Sequence, residues 1–325
     1  MEQQKREELI LKYKLDGPTE LAKAKIIFDK YTHGKEPLDN PFAVIVLGQA
    51  GAGKSGVMQF SANQFPNAVA MDIDDLRLYY PGVDKLREEH PQIYEAVTGR
   101  FASAMMGILT PWLINPELVD PSLAGKHYAV VLHKTRGTEE VIHDTLIPLQ
   151  QTGYDTMLRV LAVHKLESKM SCLERSLTER DNFGCCRWVE TAYHDKHYNE
   201  MVNLVEKIAK EKLADSVEVF VRGEVPVKPE LVYSKLVNPK LLANPSMQTA
   251  DGSPVVGDYK TNEYASLREA IETARERTVS KIMTTYPQRM KAVKARSIHG
   301  REDEFIDELV RLSENYGYSA SQQPQ

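Results

Sequence analysis

The stretch AVIVLGQAGAGKS, residues 43–55, decides the reading of this chain. Five apolar residues, 43–47, have the length and β-branched character of a buried strand. They run into a turn that fills every fixed position of G-x-x-x-x-G-K-[ST]: Gly48, Gly53, Lys54 and Ser55, with a further glycine at Gly51. Such a loop wraps backbone N–H groups around phosphate oxygens, and the helix that follows turns its positive N-terminus to the same anion. Lys54 is the expected partner of the β- and γ-phosphates and Ser55 of Mg²⁺. The nucleotide contacts expected here come from Gly48, Gln49, Gly51, Gly53, Lys54, Ser55 and Gly56.

Outward from this motif, strand-like runs at 68–73, 127–133, 156–164 and 217–222 alternate with helical patterns at 54–64, 84–109, 138–152, 166–180 and 189–213. Alternation of this kind predicts an α/β fold of the P-loop NTPase or kinase type, a parallel sheet flanked by helices, with ligands at the carboxyl ends of the strands. Two helices precede it within residues 2–33, separated by Gly17 and Pro18, with Thr19 as the expected N-cap. After residue 237 a Pro-, Asn- and Gly-rich stretch leads to helical patterns at 263–286 and 301–316. The expected organisation is N-terminal helices over 1–40, a kinase domain over 41–236, and a linker with a helical extension over 237–325. Six Lys or Arg residues and no acid fall between Lys281 and Arg301. They read either as a solvated helix face or as a docking surface for an acidic partner.

At 325 residues, 42% hydrophobic and 27% charged, the chain is long enough for a large core, and its composition is that of a soluble globular protein. A net charge of −5 argues against non-specific nucleic-acid binding. Cys172, Cys185 and Cys186 show no metal-ligand spacing, and they are expected as reduced thiols in a cytoplasmic protein. The first residues carry charges throughout and lack the apolar core of a signal peptide, and no apolar run has the length of a membrane span.

Asp72, Asp74 and Asp75 follow the second strand. A carboxylate at that strand end can take the proton of a substrate hydroxyl and help hold Mg²⁺, or it can simply cap the next helix. The guanine-selecting N-K-x-D is not seen. The third strand ends in His133 rather than in an acid, unlike motor-type ATPases.

The order of these residues resembles the zeta toxins of bacterial toxin–antitoxin systems, P-loop kinases that phosphorylate a hydroxyl of UDP-N-acetylglucosamine. The family pattern P-x-A-x-x-L-x-G-Q-P-G-S-G-K-T stands beside PFAVIVLGQAGAGKS. Its I-D-x-D-x-[FL]-[KR] matches Met71 to Arg77, and His90-Pro91 follows. Leu149, Gly153 and Tyr154 match a segment before the fourth strand, and Leu173, Glu174 and Arg175 match I-E-R after it. Arg187, His194-Asp195, Arg222-Gly223 and Tyr233-Ser234 continue the order to about residue 236. The resemblance implies ATP and Mg²⁺, a small nucleotide-type acceptor and an antitoxin partner. It implies Asp74 as catalytic base and, with Ser55, as metal ligand. Lys54, Arg175 and Arg187 would stabilise the transferring phosphoryl group, with Arg180 as the alternative to Arg187. Asp72, Arg77, His133, Thr135 and Arg136 fall where the acceptor is bound. Where the family has I-E-G-T-G-R, this chain has His133, Lys134, Thr135, Arg136 and Gly137, which favours a more anionic acceptor; Glu117 is an alternative substrate acid. The competing reading is an ATP-binding regulatory module whose C-terminal helices bind a macromolecule.

Overall fold

The computed structural model describes residues 3–134, 139–223, 229–248, 264–297 and 300–317. The quoted apolar run forms β1 (Phe42–Leu47), and all six of its residues are buried. A strand covered on both faces belongs in the middle of a parallel sheet. Around it stand β2 (Val69–Met71), β3 (Val130–Lys134), β4 (Asp155–Leu161), β5 (Ser216–Val221) and β6 (Glu230–Leu236), in the order β2-β3-β1-β4-β5-β6. The first five are parallel and β6 closes the edge antiparallel to β5. The α/β class with a mainly parallel sheet is therefore as the sequence predicts. Parallel order sends the carboxyl ends of β1, β2, β3 and β5 to one edge, where the glycine loop, Asp72 and Arg222 follow their strands and His133 lies near the end of β3.

Helices cover both faces. On one lie α1 (Gln3–Lys12), α2 (Gly17–Thr32), the 24-residue α6 (Pro91–Ile114), α7 (Ile147–Gln151) and α9 (Thr191–Lys210). On the other lies α3 (Lys54–Gln64), together with two short 3₁₀ turns after β6 that bury Leu241 and Met247. Part of the expected linker is thus packed; residues 249–263 lie outside the described residues. A third cluster joins α8 (Lys165–Phe183), α10 (Leu267–Arg296) and α11 (Arg301–Glu314). The short helices α4 (Ile73–Leu76) and α5 (Val83–Glu89) link β2 to α6. No described helix is long and apolar enough to cross a membrane.

Several boundaries differ from the sequence expectation for physical reasons. The N-cap of α2 is Asp16 rather than Thr19: its carboxylate accepts the Thr19 N–H at 2.8 Å. β2 stops at Met71 because Asp72 caps α4. The segment expected as one helix over 138–152 contains a π-helical stretch, Ile142–Leu146, ahead of α7. β6 is not among the strands that the sequence pattern predicts. Most informative is α10, expected to end at 286 before Pro287 but running on to Arg296. Pro inside a helix costs about 3 kcal/mol. Ile282, Tyr286, Met290 and Val293 form one buried stripe across it, facing Leu166, Met170, Leu173 and Leu177 of α8. At roughly 1.5–3 kcal/mol for each large apolar side chain, burial outweighs the break.

Arg159 of β4 and Glu218 of β5 are register partners, both 1% exposed, joined by a 2.8 Å ion pair. Arg159 also donates to Ser61 Oγ and Gln64 Oε1 of α3 and lies among the rings of Phe60, Phe65 and Phe220. It thereby bolts the helix that begins at Lys54 to the sheet. Arg159→Met should cost about 3–5 kcal/mol, because it strands a buried carboxylate. Arg159→Met/Glu218→Leu should recover most of that loss. Urea unfolding of the two variants checks this, and a double variant no more stable than the single would contradict it.

Candidate active site

Gly51 and Gly53 sit at φ +73° and +96°, where side chains are strained, and a Cβ on Gly51 would lie 2.0 Å from the Ser168 carbonyl oxygen. The loop is pressed against α8 with no room for an atom between them. Gln49, 1% exposed, fixes this contact by donating to Val163 O at 2.7 Å and Ser168 Oγ at 3.2 Å. Lys54 is 8% exposed and donates to the Gln49 carbonyl at 3.0 Å. Burial lowers its pKa to about 8. The Arg175 charge adds to that effect, and Asp74 and Asp72 oppose it.

Ser55 Oγ donates to Asp72 Oδ2 at 3.1 Å, and the other Asp72 oxygen accepts the Asp74 N–H at 2.8 Å and lies 3.4 Å from His133 Nε2. Asp72 therefore both caps α4 and faces Ser55. Asp74 points elsewhere: Arg187 Nη1 lies 2.6 Å from Oδ2 and Arg77 Nε 3.3 Å from Oδ1. Burial raises the Asp74 pKa, but the two guanidinium groups outweigh it and hold the carboxyl below its ordinary range. Arg77 also donates to Glu95 O and Thr98 Oγ1, packed over Gly99, where a Cβ would stand 3.1 Å from its guanidinium.

A cavity of about 330 Å³ opens over the glycine loop. It is lined by Gly51, Gly53, Lys54, Ser55, Asp74, Arg77, His133, Arg175 and Arg187 among the expected residues. Arg175 reaches it from α8, and its Nε is buried without a hydrogen-bond partner. Arg187 is held from behind by Glu179, which accepts its Nε–H at 2.8 Å and its backbone N–H at 2.9 Å. Arg180, the alternative, faces away and pairs with Asp181 and with Glu302 of α11. Glu95, Ser171, Trp188, Tyr193 and Arg222 also line the cavity. Sequence reasoning singled out none of these as site residues, although Arg222 follows β5 at the edge where ligands are expected.

A second cavity, about 380 Å³, shares Asp74, Arg77, His133 and Tyr193 with the first and extends to Met106, Glu140, Val141 and Asp144. Its described lining carries Glu140 and Asp144 as well as Arg77 and His133. Thr135 and Arg136 lie outside the described residues. Glu117, on the 3₁₀ turn after α6, lines neither cavity. His194 and Asp195 stand behind the site. His194 Nε2 meets Ser168 Oγ at 2.8 Å and Nδ1 meets Asp195 at 3.0 Å, while Lys169 lies 2.8 Å from Asp195. Burial pushes the His194 pKa down. For Asp195 burial acts upward, but His194 and Lys169 prevail and bring it to about 2. The three cysteines are free thiols, and burial raises the pKa of each. Among the described residues no group of three His, Cys, Asp or Glu side chains is placed to hold a metal.

The Zeta toxin family matches residues 27–228. Among characterised relatives, toxin zeta of Enterococcus hirae is 26% identical over 216 residues, covering 66% of this chain and 70% of its own length. Toxin PezT of Streptococcus pneumoniae is 25% identical over 193 residues, covering 59% and 72%. Among solved structures, one from the PezAT chromosomal toxin–antitoxin system of S. pneumoniae superposes with a TM-score of 0.57 at 19% identity, covering 83% of this chain and 98% of that one. The AvrRxo1-ORF1:ORF2 complex gives 0.50 at 10% identity, covering 89% and 83%, and so shares the fold. A match across more than half of the chain, over the same loop, acidic turn and arginines that frame the cavity, places this protein in the zeta toxin family.

Proposed function

We propose that this chain is an ATP-dependent kinase, the toxin of a toxin–antitoxin pair, which transfers the γ-phosphate to a hydroxyl of a nucleotide-type metabolite, UDP-N-acetylglucosamine or a related nucleotide. One observation carries the reading: the Asp74 carboxylate forms part of both cavities, one over the phosphate-binding loop and the other beside it. The first cavity suits a nucleoside triphosphate. The Gly51 cradle has no space for a side chain, the buried Lys54 ammonium rests on a single carbonyl, and Arg175 presents an unpartnered N–H. Ser55 and Asp72, joined at 3.1 Å, are the hard oxygen donors that would hold Mg²⁺ alongside phosphate oxygens, whereas Asp74, expected with Ser55, is turned to Arg187 and Arg77. When bound, the ion would neutralise charge on the β- and γ-phosphates.

The chemistry then follows from placement. An acceptor hydroxyl in the second cavity gives its proton to Asp74 as its oxygen bonds to the γ-phosphorus, and the bond to the bridging oxygen of ADP breaks. Lys54, Arg175 and Arg187 meet the charge on the transferring group. Without nucleotide, Arg187 neutralises Asp74. Its move to the γ-phosphate would return basicity to the carboxylate at the moment a base is required. Family membership supports an antitoxin protein as the partner that restrains this activity.

Asp74→Asn should lower phosphoryl transfer roughly 10²–10⁴-fold, with ATP affinity kept or raised, since Arg187 is released. Lys54→Ala should lose affinity itself. Calorimetry and single-turnover assays separate the two effects, and full activity in Asp74→Asn would assign the base elsewhere. Expression of the wild type should arrest growth and the Asp74→Asn form should not; equal toxicity would point to a binding module.

Lys54 sets a pH dependence. In the free protein Lys54 is half deprotonated near pH 8, whereas bound phosphate keeps the ammonium charged. ATP affinity is therefore fully present from about one pH unit below 8 downward and is lost as pH rises through 8, by at most about tenfold per pH unit. Calorimetry between pH 7 and 9.5 checks this, and a flat wild-type profile would contradict it.

A further inference from the structure

Helices α10 and α11 lie beyond the residues that the family matches, yet one of their side chains grips carboxylates that adjoin residues lining the loop cavity. Arg289 of α10 grips two carboxylates of α8. Its Nε and Nη2 donate to the two oxygens of Glu174 at 2.8 and 2.7 Å, and Nη1 donates to Glu167 Oε2 at 2.7 Å. The other Glu167 oxygen accepts Arg222 Nη1 at 2.8 Å and Ser171 Oγ at 3.1 Å. Ser171, Arg175 and Arg222 line the cavity, and Glu174 immediately precedes Arg175. Arg289 itself does not line it.

We propose that Arg289 is a positioning residue for nucleotide binding: it neutralises Glu174 and shares Glu167 with Arg222, so that the acidic charge behind the cavity is offset and Arg222 can part from Glu167 for phosphate. The inference rests on the reading of the loop cavity as a nucleotide site. A guanidinium fork can satisfy two carboxylates at once and fix their orientation, which a lysine cannot do. Its side chain is 21% exposed and those of Glu167 and Glu174 are 12% and 34% exposed, so water screens these charges only in part. Without Arg289, Glu174 loses both of its hydrogen bonds from a guanidinium and Glu167 keeps Arg222 alone, which leaves excess negative charge beside a site for a polyanion. The cation still paired with Glu167 is Arg222, which lines that site. The basic stretch of the sequence thus acts inward at this point, as Arg296 does through Asp181.

The test is calorimetric ATP affinity in the full chain, with thermal melting run in parallel. Arg289→Met should weaken ATP binding on the order of tenfold, and Arg289→Lys should fall between it and the wild type. Arg289→Met/Glu167→Gln/Glu174→Gln should return affinity to within about twofold of the wild type, since the repelling charges are gone. Glu167→Gln/Glu174→Gln with Arg289 retained should bind ATP at least as tightly as the wild type, an outcome that does not depend on the folding of Arg289→Met. A structural brace alone predicts no rescue in the triple variant, and that result overturns the proposal. So does weaker binding by the double variant. ATP binding that is indifferent to Arg289 overturns this role and leaves the nucleotide reading intact; no ATP binding by the wild type overturns both.

Discussion

Lys54 holds an ammonium group almost out of contact with water on one carbonyl oxygen, that of Gln49. A buried charge with so little compensation is costly, and the depressed pKa expresses that cost. The arrangement persists because the loop carrying the lysine cannot relax. Gly51 is jammed against the backbone of α8, Gln49 is tied to Val163 and Ser168, and α3 is bolted to the sheet through Arg159. The electrostatic debt at Lys54 is settled when an anion arrives, so rigidity elsewhere becomes affinity here.

That dependence explains why helices far along the chain matter to a loop near its start. Helix α8 is the surface against which the loop is moulded, and it also carries Arg175. It is held in turn by α10 and α11, through the apolar stripe across Pro287 and through a buried ionic chain. Glu308 of α11 pairs with Lys169, Lys169 with Asp195, Asp195 with His194, and His194 with Ser168, whose hydroxyl meets Gln49. Each link is short and most are buried, so displacement of α11 strains a path that ends at the phosphate loop. The path is continuous in space; the element through which it would act is α8.

The parts legible in the sequence were those fixed by local chemistry. A β-branched run before a glycine loop has one good structural solution, and it located β1, α3 and the edge of the sheet where the site forms. The acidic turn after β2 was legible for the same reason, although Asp72 and Asp74 diverge only once α4 begins between them and sends one toward Ser55 and the other toward Arg187. What stayed hidden depended on partners distant in sequence. Pro287 reads as a helix end until Tyr286 and Met290 are seen buried on either side of it. Arg180 and Arg187 are equivalent as letters. Glu302 draws the first to α11, whereas Glu179 and Asp74 hold the second in the cavity. Glu95 and Tyr193 gave no signal, because helix-borne side chains reach a cavity through packing that no local pattern encodes.

The charges around the cavity are arranged as a set of exchangeable pairs. Arg187 is matched by Asp74 and Glu179, Arg77 by Asp74, and Arg222 by Glu167. Arg175 makes no ion pair among the described residues, and its buried N–H is the group with most to gain from phosphate. A site of bare arginines would repel itself and would bind any anion; one that is wholly paired would bind none. Here the carboxylates keep most of the guanidinium groups oriented and ready, and a triphosphate must compete with Asp74 for Arg187 but with no described carboxylate for Arg175. On the proposed reading, selectivity for a long polyanion over a single phosphate would follow, because only a ligand that spans from Lys54 to Arg187 recovers the cost of parting the second pair.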